Sequence, residues 1–459
     1  MEEISSMKKV LALVLAAVMV LSLAACGGNA APAADTAAPA ADSSATADAE
    51  STDTAAPAAE PTGEKITVIL PAHEMDTIGL HEQRTRQFEE ETGIEVELIN
   101  MGWDDVADRI TADLVAGGNS YDVIEFDNAW VLKFAQNDWL EPLDDYISDE
   151  QKNGMVPGLI DKFSNDGHLY GIVWNNDTRF FMYNKAKLDE AGISKVPETW
   201  DEVKEADQKL RDAGLCSATY IDSYWQGQSG GNELYWLVSS FGGKLIDENG
   251  KPVMGEDPKT AAAYQFLVDG MNSGLIDPSS LSADYETAAN VFYMGDTAMM
   301  MQAWPGVYSA ANDPETSSIV DEIAVGTSAP HAAGEEFMVL TLPEAMAIPK
   351  TSEHKEAAAK YIEYMSAHDF DKDRCAAIGS LPVWTDLYSD ADLLALYPYW
   401  AQFAEQITHA KGLPDLLWYD EYCNILTVES QKILLGEVSV EEGLKEMQAQ
   451  CEAVAKDYE

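Results

Sequence analysis

Apolar residues follow a regular alternation of strand-like and helix-like spacing from Lys65 onward. The segment 94–99 alternates between apolar and polar residues, and 65–70 and 121–126 are short and mainly apolar, so all three are predicted to be strands. The segments 82–92 and 104–116 lie between these runs, have helical spacing and end at glycines. This order predicts an α/β fold with a mainly parallel sheet, in which ligands bind beyond the carboxyl ends of strands.

The same spacing analysis extends through the second half of the chain. Further helices are predicted at 185–191, 200–213, 232–241, 258–273 and 352–365, with mostly helical sequence from Asp371 onward. Further strands are predicted at 169–173, 180–183, 217–221, 297–302, 323–325 and 345–348. The length beyond residue 64 is ample for a large core and indicates two lobes.

A polar island interrupts the apolar runs at 169–173 and 180–183. Alternate side chains of an extended chain share a face, so Asn175, Asp177 and Arg179 are predicted to point the same way. Burying such groups without partners is unfavourable. The island is therefore a solvated loop between two strands, or a structural Asp–Arg pair, or a strand that crosses a cleft and carries ligand-binding groups.

Aromatic and acidic residues stand next to several predicted strand ends. Asp127 and Trp130 follow the 121–126 strand, although an N-cap and a packing role explain them equally well. Trp304 precedes Pro305-Gly306, which favours a loop position over a core one. Trp225 and Trp384 are weaker candidates of the same kind. Such aromatics suit the apolar faces of sugar rings, with Asp, Asn and Arg as partners for hydroxyls.

Long blocks of the sequence resemble a known family. DGHLYGIVWNNDTRFFMYNK at 166–185, YMGDTAMMMQAWPG at 293–306, AIPKTSEHKEAAAKYIEYM at 347–365 and GSLPV at 379–383 occur in the family's order. They resemble extracellular solute-binding proteins of carbohydrate ABC transporters, the maltose-binding-like family. The segments 340–344, 381–384 and 413–414 depart from frequent sugar-contacting patterns of the family, so the particular sugar does not follow from the resemblance.

The resemblance implies a two-lobed periplasmic-binding-protein-like fold with a ligand cleft between the lobes. It implies an N-terminal lobe of 65–175 and 323–366, a C-terminal lobe of 176–322 and 367–459, and crossings near 174–178, 320–323 and 366–370. The implied function is capture of a neutral mono- or oligosaccharide and delivery to an ABC permease, without catalysis or cofactor, as a monomer. The expected cleft residues are Asp127, Trp130, Asn175, Asp177, Arg179, Trp304 and, less strongly, Trp225 and Trp384.

The N-terminal segment has the pattern of an export signal. Residues 1–25 contain the basic Lys8-Lys9 pair and an apolar core shorter than a membrane span. Leu23-Ala24-Ala25-Cys26 resembles a bacterial lipobox, which implies a lipid on Cys26 and location at the outer face of the cell membrane. Residues 26–64 are rich in Ala, Pro and Thr and are predicted to form a disordered tether.

Composition excludes several other classes. With 80 Asp plus Glu against 28 Lys plus Arg, the chain has a formal net charge of −52, which argues against a nucleic-acid partner. The histidines show no metal-binding spacing, so no metal is expected. The cysteines Cys216, Cys375, Cys423 and Cys451 permit a disulfide, but their spacing assigns none.

Two alternative functions remain open from the sequence. Gly227-Gln228-Ser229-Gly230-Gly231 fits the nucleophile-elbow pattern, and Asp386 and His409 follow in hydrolase order. An exported α/β hydrolase is thus the enzyme alternative. A binding protein for a peptide or polyamine is the other, and a carboxylate-lined cleft without Arg179 would favour the polyamine.

Overall fold

The computed structural model describes residues 61–225 and 227–458. The signal peptide, the lipobox with Cys26 and nearly all of the tether lie outside the described residues. Within that part of the chain, every helix is too short or too polar to cross a bilayer.

The strands are short and mostly buried. In chain order they are Lys65–Pro71 (β1), Glu95–Met101 (β2), Val123–Asp127 (β3), Ser164–Asn165 (β4), His168–Leu169 (β5), Ile172–Asn175 (β6), Phe180–Asn184 (β7), Tyr220–Ile221 (β8), Met299–Ala303 (β9), Ile323–Val325 (β10), Val339–Leu340 (β11), Glu344–Ala347 (β12) and Ala410–Lys411 (β13).

Helices cover both faces of the sheets. In chain order they are Glu74–Thr77 (α1), Leu80–Thr92 (α2), Trp103–Val115 (α3), Val131–Gln136 (α4), Asp149–Gly154 (α5), Pro157–Lys162 (α6), Lys185–Glu190 (α7), Trp200–Asp212 (α8), Gly227–Ser240 (α9), Pro258–Ser273 (α10), Tyr285–Tyr293 (α11), Pro305–Ala311 (α12), Lys355–Met365 (α13), His368–Ile378 (α14), Ala391–Leu396 (α15), Trp400–Ile407 (α16), Tyr419–Leu434 (α17) and Val440–Ala455 (α18). Short 3₁₀ turns occur at Asn128–Trp130, Pro278–Leu281, Asp386–Ser389 and Lys456–Tyr458.

A five-stranded sheet forms the centre of the first lobe. Its strand order is β2-β1-β3-β12-β6, with β1 parallel to both β2 and β3. The late strand β12 inserts antiparallel between β3 and β6, and it pairs Glu344 with Asp127 and with Asn175. Polar residues of three neighbouring strands, β3, β12 and β6, are thereby placed side by side at one end of these strands.

A four-stranded sheet forms the centre of the second lobe. Its order is β10-β7-β9-β8, and β7 pairs antiparallel with both β10 and β9. The prediction that Ile323–Val325 returns to the first lobe is therefore wrong, because Ala324 lies opposite Tyr183 of β7. Three apolar residues fit the edge of either sheet, so their sequence carries no preference.

The two sheets are joined where three chain segments run side by side. Isolated bridges pair Thr178 with Thr341 and Asn176 with Leu381. The Arg179 amide donates to the Leu340 carbonyl at 2.8 Å, and the Leu342 amide donates to the Asp177 carbonyl at 2.7 Å. The polar island predicted to cross between lobes thus lies at the junction, beside segments 340–342 and 381 rather than 320–323 and 366–370.

Close packing of α9 against α17 leaves no room for a side chain at Gly231. A Cβ at this position would lie 2.5 Å from Cys423 Sγ and 3.0 Å from Cys423 Cα. By contrast, a Cβ at the exposed Gly158 in α6 would meet nothing within 4 Å.

Replacing Gly231 by alanine is expected to lower the free energy of unfolding by about 1–3 kcal/mol, because the α9–α17 pair must separate to admit the methyl group. Gly158→Ala is the matched control and is expected to be neutral or stabilising by up to about 1 kcal/mol, since alanine is the better helix former. Urea denaturation of both variants measures this. Equal midpoints for the two would contradict the packing described here.

Candidate functional site

A cavity of about 700 Å³ lies at the junction of the two sheets. The first lobe lines it with residues at strand ends, including His73 after β1, Asp127 at the end of β3 and Glu344 at the start of β12. The second lobe contributes Tyr285 of α11 and Trp304, which follows β9. The volume lies within the range of small-molecule sites, and the position between lobes is a typical one for ligand binding.

The polar island forms the wall of this cavity at the crossing. Asn175, Asp177 and Arg179 all line it, as the alternation of side chains predicted, and Asn176 reaches it as well. The Thr178 hydroxyl instead donates to Asn176 Oδ1 and lies at hydrogen-bond distance from the Thr341 hydroxyl, both at 3.1 Å, which ties neighbouring segments of the junction together.

Arg179 is held in place by charge and by aromatic faces. Its Nε and Nη2 donate to Asp177 Oδ2 at 3.0 Å and 2.6 Å, and both residues are more than nine-tenths buried. The guanidinium carbon lies 4.2 Å from the ring centre of Tyr285 and 5.4 Å from that of Trp304. The arginine therefore orients Asp177 and supports the two aromatic rings.

Two carboxyls are buried behind Arg179. Asp222 and Glu233 are each at most 1% exposed and interact directly with one another. Burial raises the pKa of Asp222 to about 7, and burial together with the neighbouring Asp222 raises the pKa of Glu233 well above its ordinary value. Both carboxyls consequently bind protons more tightly in the folded chain than in the unfolded one.

The melting temperature is expected to fall as the pH rises from about 5 to about 8, and Glu233→Gln is expected to reduce that fall. The folded pKa values of the pair are raised, so their contribution is complete below the unfolded pKa and is lost as the pH rises through the folded pKa. The fall shrinks by about 1 °C per kcal/mol of linkage removed, because a chain of this length has a large entropy of unfolding. Thermal melts at several pH values test this, with the exposed Glu205→Gln as control; equal slopes for the wild type and Glu233→Gln would contradict it.

Asn175 is fixed by charged neighbours on both sides. Its amide nitrogen donates to Glu344 Oε2 at 2.6 Å, and its oxygen accepts from Arg374 Nη1 at 3.0 Å. Arg374 also donates to Asp371, whose other oxygen accepts the backbone amides of residues 383 and 384. The carboxamide thus presents a defined orientation to the cavity.

Asp127 performs two roles that the sequence left as alternatives. Its Oδ1 accepts the Ala129 amide at 2.7 Å, so it caps the short 3₁₀ turn, while the residue also lines the cavity. Burial raises the pKa of Asp127 to about 7.

The structure does not place three of the predicted tryptophans in the cavity. Trp130 is buried, and its indole nitrogen donates to Asp420 Oδ1 at 3.0 Å. Trp384 is 9% exposed, and its indole nitrogen donates to the Ser366 carbonyl at 3.0 Å. Trp225 is 37% exposed and lies outside the cavity lining. Packing explains Trp130 and Trp384, because the first stacks on Trp103 and the second fills the space above Gly154. A tryptophan near a strand end can pack in the core as readily as it can line a cleft.

Several lining residues were not predicted from the sequence: His73, Trp103, Tyr285, Glu344 and Arg374. Trp103 follows the end of β2, so the criterion that singled out Trp130 would also have found it. Its indole nitrogen donates to Gln228 Oε1 at 3.0 Å, which links the first lobe to the second. His73 follows the end of β1, so the same criterion would have found it too. The other three, Tyr285, Glu344 and Arg374, give no local signal, since only the tertiary fold brings them to the cavity.

The residues of the hydrolase alternative do not assemble. The Gly227–Gly231 pattern forms the first turn of α9 rather than an exposed elbow, and Ser229 is 3% exposed. Asp386 pairs with His368 at 3.0 Å, whereas His409 packs its ring against Phe337 at 4.0 Å. No disulfide joins the four described cysteines that were considered for one.

The fold and the cleft together define a two-lobed binding protein, and comparison with known proteins identifies its family. Residues 79–370 match the family model described as bacterial extracellular solute-binding protein. A binding protein of Brucella abortus strain 2308 is 26% identical over 390 residues, covering 82% of this chain and 89% of its own length.

Solved structures agree with this assignment. The maltose-bound MalE3 protein of T. maritima is 24% identical with a TM-score of 0.77, covering 85% of this chain and 99% of its own. A solute-binding protein of Agrobacterium radiobacter K84 in complex with ribitol is 20% identical with a TM-score of 0.79, covering 86% and 100%.

The chain belongs to the bacterial extracellular solute-binding protein family. The resemblance and the two-lobed fold expected from the sequence are thereby confirmed. The protein is a solute-binding protein of the ABC transporter type, and its family consists of binding proteins rather than enzymes.

Proposed function

We propose that the cavity binds a neutral sugar or polyol and that the protein delivers it to an ABC permease. The observation that carries the proposal is the position of Trp304 in a cavity also lined by Asn175, Asp177 and Arg179. The similar structures from T. maritima and Agrobacterium radiobacter are bound to maltose and to ribitol, which supports the same class of ligand here.

The aromatic side of the cavity suits the apolar face of a sugar ring. Trp304 and Tyr285 meet edge to face with ring centres 6.3 Å apart, and Arg179 contacts both rings. Rings fixed in this way lose little side-chain freedom when a ligand stacks on them.

The cavity also contains both donors and acceptors of hydrogen bonds. Asn175 and Arg374 offer amide and guanidinium donors, while Asp177 and Glu344 offer carboxyl acceptors. Hydroxyl groups both donate and accept, so a polyhydroxy ligand matches this mixed set better than a ligand with acceptors alone.

The charges of the cavity favour a neutral ligand. Arg179 is engaged by Asp177, and Arg374 by Asp371, so each guanidinium is already compensated by a buried carboxylate. An added anion would face Asp127 and Glu344 as well, which disfavours it. Two arginines among the lining residues also argue against a polyamine, whose binding is best served by uncompensated carboxylates.

Closure of the lobes over the ligand is the expected working motion. Trp103 to Gln228 and Trp130 to Asp420 are hydrogen bonds between residues of different lobes. Lys133 adds an ion pair to Asp420 at 2.6 Å. We assign the crossings to 176–179, 340–342 and the region of 381, because these segments pair at the junction. Hinge closure of this kind presents a defined surface to a permease.

The protein is proposed to work as a monomer anchored to the outer face of the membrane through a lipid on Cys26, with 26–64 as the tether. The lipobox pattern Leu23-Ala24-Ala25-Cys26 supports the anchor, and a chain of this length spans roughly 35 Å. Cys26→Ser should release the protein from membranes to the medium, as fractionation would show. Retention of this variant on membranes would refute the lipid anchor.

A ligand panel tests the proposed function. The full-length chain is heated with neutral mono- and oligosaccharides, polyols, polyamines and peptides, because a ligand that binds only the folded state raises the melting temperature with its concentration. A rise with one class of sugar or polyol supports the proposal and names the class. A rise with polyamines or peptides alone would discard the sugar while keeping the cleft.

A further inference from the structure

Three side chains from neighbouring strands of the first-lobe sheet, or from just beyond them, meet beside the cavity. His73 follows β1, Glu125 lies in β3 and Glu344 begins β12, and β1, β3 and β12 are neighbours in the sheet. The ligand atoms of the three residues lie within 4.8 Å of one another. His73 Nε2 is 3.2 Å from each oxygen of Glu125.

The two carboxyls of this cluster are buried beside one another. Glu125 is 1% exposed and Glu344 is 6% exposed, and a carboxyl oxygen of each lies within 4.8 Å of the other. Within residues 61–225 and 227–458, neither forms an ion pair with lysine or arginine, and His73 is the basic group that contacts Glu125. Buried carboxyls are tolerated when they hold a proton or coordinate a cation.

The three side chains are held by the residues around them. Glu344 Oε2 accepts from Asn175 at 2.6 Å. The His73 ring meets the Trp174 ring edge to face, 5.1 Å between centres, and the His73 amide donates to Asp76 Oδ2 at 2.7 Å. Supporting contacts of this kind orient the ligands of metal sites.

We propose that His73, Glu125 and Glu344 bind a divalent transition-metal ion, with Zn²⁺ as the best match. One imidazole and two carboxylates are ligands that zinc accepts, and around a tetrahedral zinc they lie about 3.4 Å apart. The His73–Glu125 distances already match this separation. The terminal torsion of glutamate is broad, so rotation of the Glu344 carboxylate can bring one of its oxygens closer to the other two ligand atoms. Ca²⁺ and Mg²⁺ need six or more oxygen ligands and fit three mixed ligands poorly.

A fourth coordination position would open toward the cavity, because His73 and Glu344 both line it. The site is therefore open, as zinc sites with an exchangeable water are. This inference does not depend on the identity of the solute, since the metal alone is the ligand that the experiment uses.

The test is titration of the full-length chain with ZnCl₂ after dialysis against EDTA, followed by calorimetry and by the melting temperature. The wild type is expected to bind one Zn²⁺ per chain, with MgCl₂ giving no comparable shift. Glu125→Gln and His73→Gln are expected to weaken Zn²⁺ binding at least ~10-fold. His368→Gln, which removes an imidazole from an exposed pair with Asp386, is the matched control and should bind as the wild type does.

The melting temperature without metal separates loss of the site from loss of the fold. Glu125→Gln removes a buried ionisable group and keeps its shape, so the metal-free variant should melt no lower than the wild type. A wild type without saturable Zn²⁺ binding would show that the carboxyl pair holds a proton only. Equal affinity in the wild type, Glu125→Gln and His73→Gln would place the ion elsewhere; either result overturns the proposal.

Discussion

Arg179→Gln is expected to lower the free energy of unfolding by about 3–5 kcal/mol, because removing one partner of a buried ion pair leaves the other charge uncompensated. Arg179 is 5% exposed, bonds Asp177 through two nitrogens and lies close to the buried Asp222 and Glu233. Urea denaturation of the full-length chain measures the loss.

Two control variants distinguish the loss of the buried Arg179–Asp177 pair from the general effect of removing a charged side chain. The double variant Arg179→Gln/Asp177→Asn should be more stable than Arg179→Gln alone, since it removes one of the uncompensated charges. Lys185→Gln breaks the exposed ion pair with Asp189 and should leave the stability nearly unchanged, because solvent screens such pairs. If Arg179→Gln is as stable as Lys185→Gln, the buried charge network described here does not support the fold.

Trp304→Ala is expected to raise the dissociation constant for the bound sugar about 10- to 100-fold, which corresponds to about 1.4–2.7 kcal/mol. Its ring lines the cavity beside Tyr285 and Arg179, and truncation removes the apolar face on which a sugar ring stacks. Isothermal titration with the sugar that gives the largest shift in the panel measures the change.

Trp225→Ala is the matched control for this variant. Trp225 is 37% exposed and lies outside the cavity lining, so its removal should leave the dissociation constant unchanged. Trp304→Phe keeps a ring and should recover part of the affinity. An unchanged affinity in Trp304→Ala, or an equal loss in Trp225→Ala, would show that the ligand does not stack on Trp304.

Local signals in the sequence predicted the helices and strands well. The helix Pro258–Ser273 has the bounds expected from spacing, because Asp257 caps its first turn and Gly274 ends it in the left-handed conformation with φ of 79°. Alternation within one extended segment is a local property, and it predicted that Asn175, Asp177 and Arg179 share a face. It did not predict that Asn176 also lines the cavity, and the crossing itself was expected from the family resemblance.

The remaining site residues depend on which segments meet in space. Tyr285, Glu344 and Arg374 reach the cavity from α11, β12 and α14, and nothing in their neighbouring sequence marks them. Likewise, His73 and Glu125 are far apart along the chain and become neighbours only because β1 and β3 pair. Trp130 and Trp384 show the opposite error, in which an aromatic residue near a strand end packs in the core.

The location of the bound ligand tests the central claim most directly. A crystal structure of the protein with the sugar or polyol found in the panel would show it. The account predicts that the ligand lies between the lobes, stacks on Trp304 and forms hydrogen bonds with Asn175 or Asp177. A ligand bound outside this cavity, with the cavity itself empty, would contradict the account.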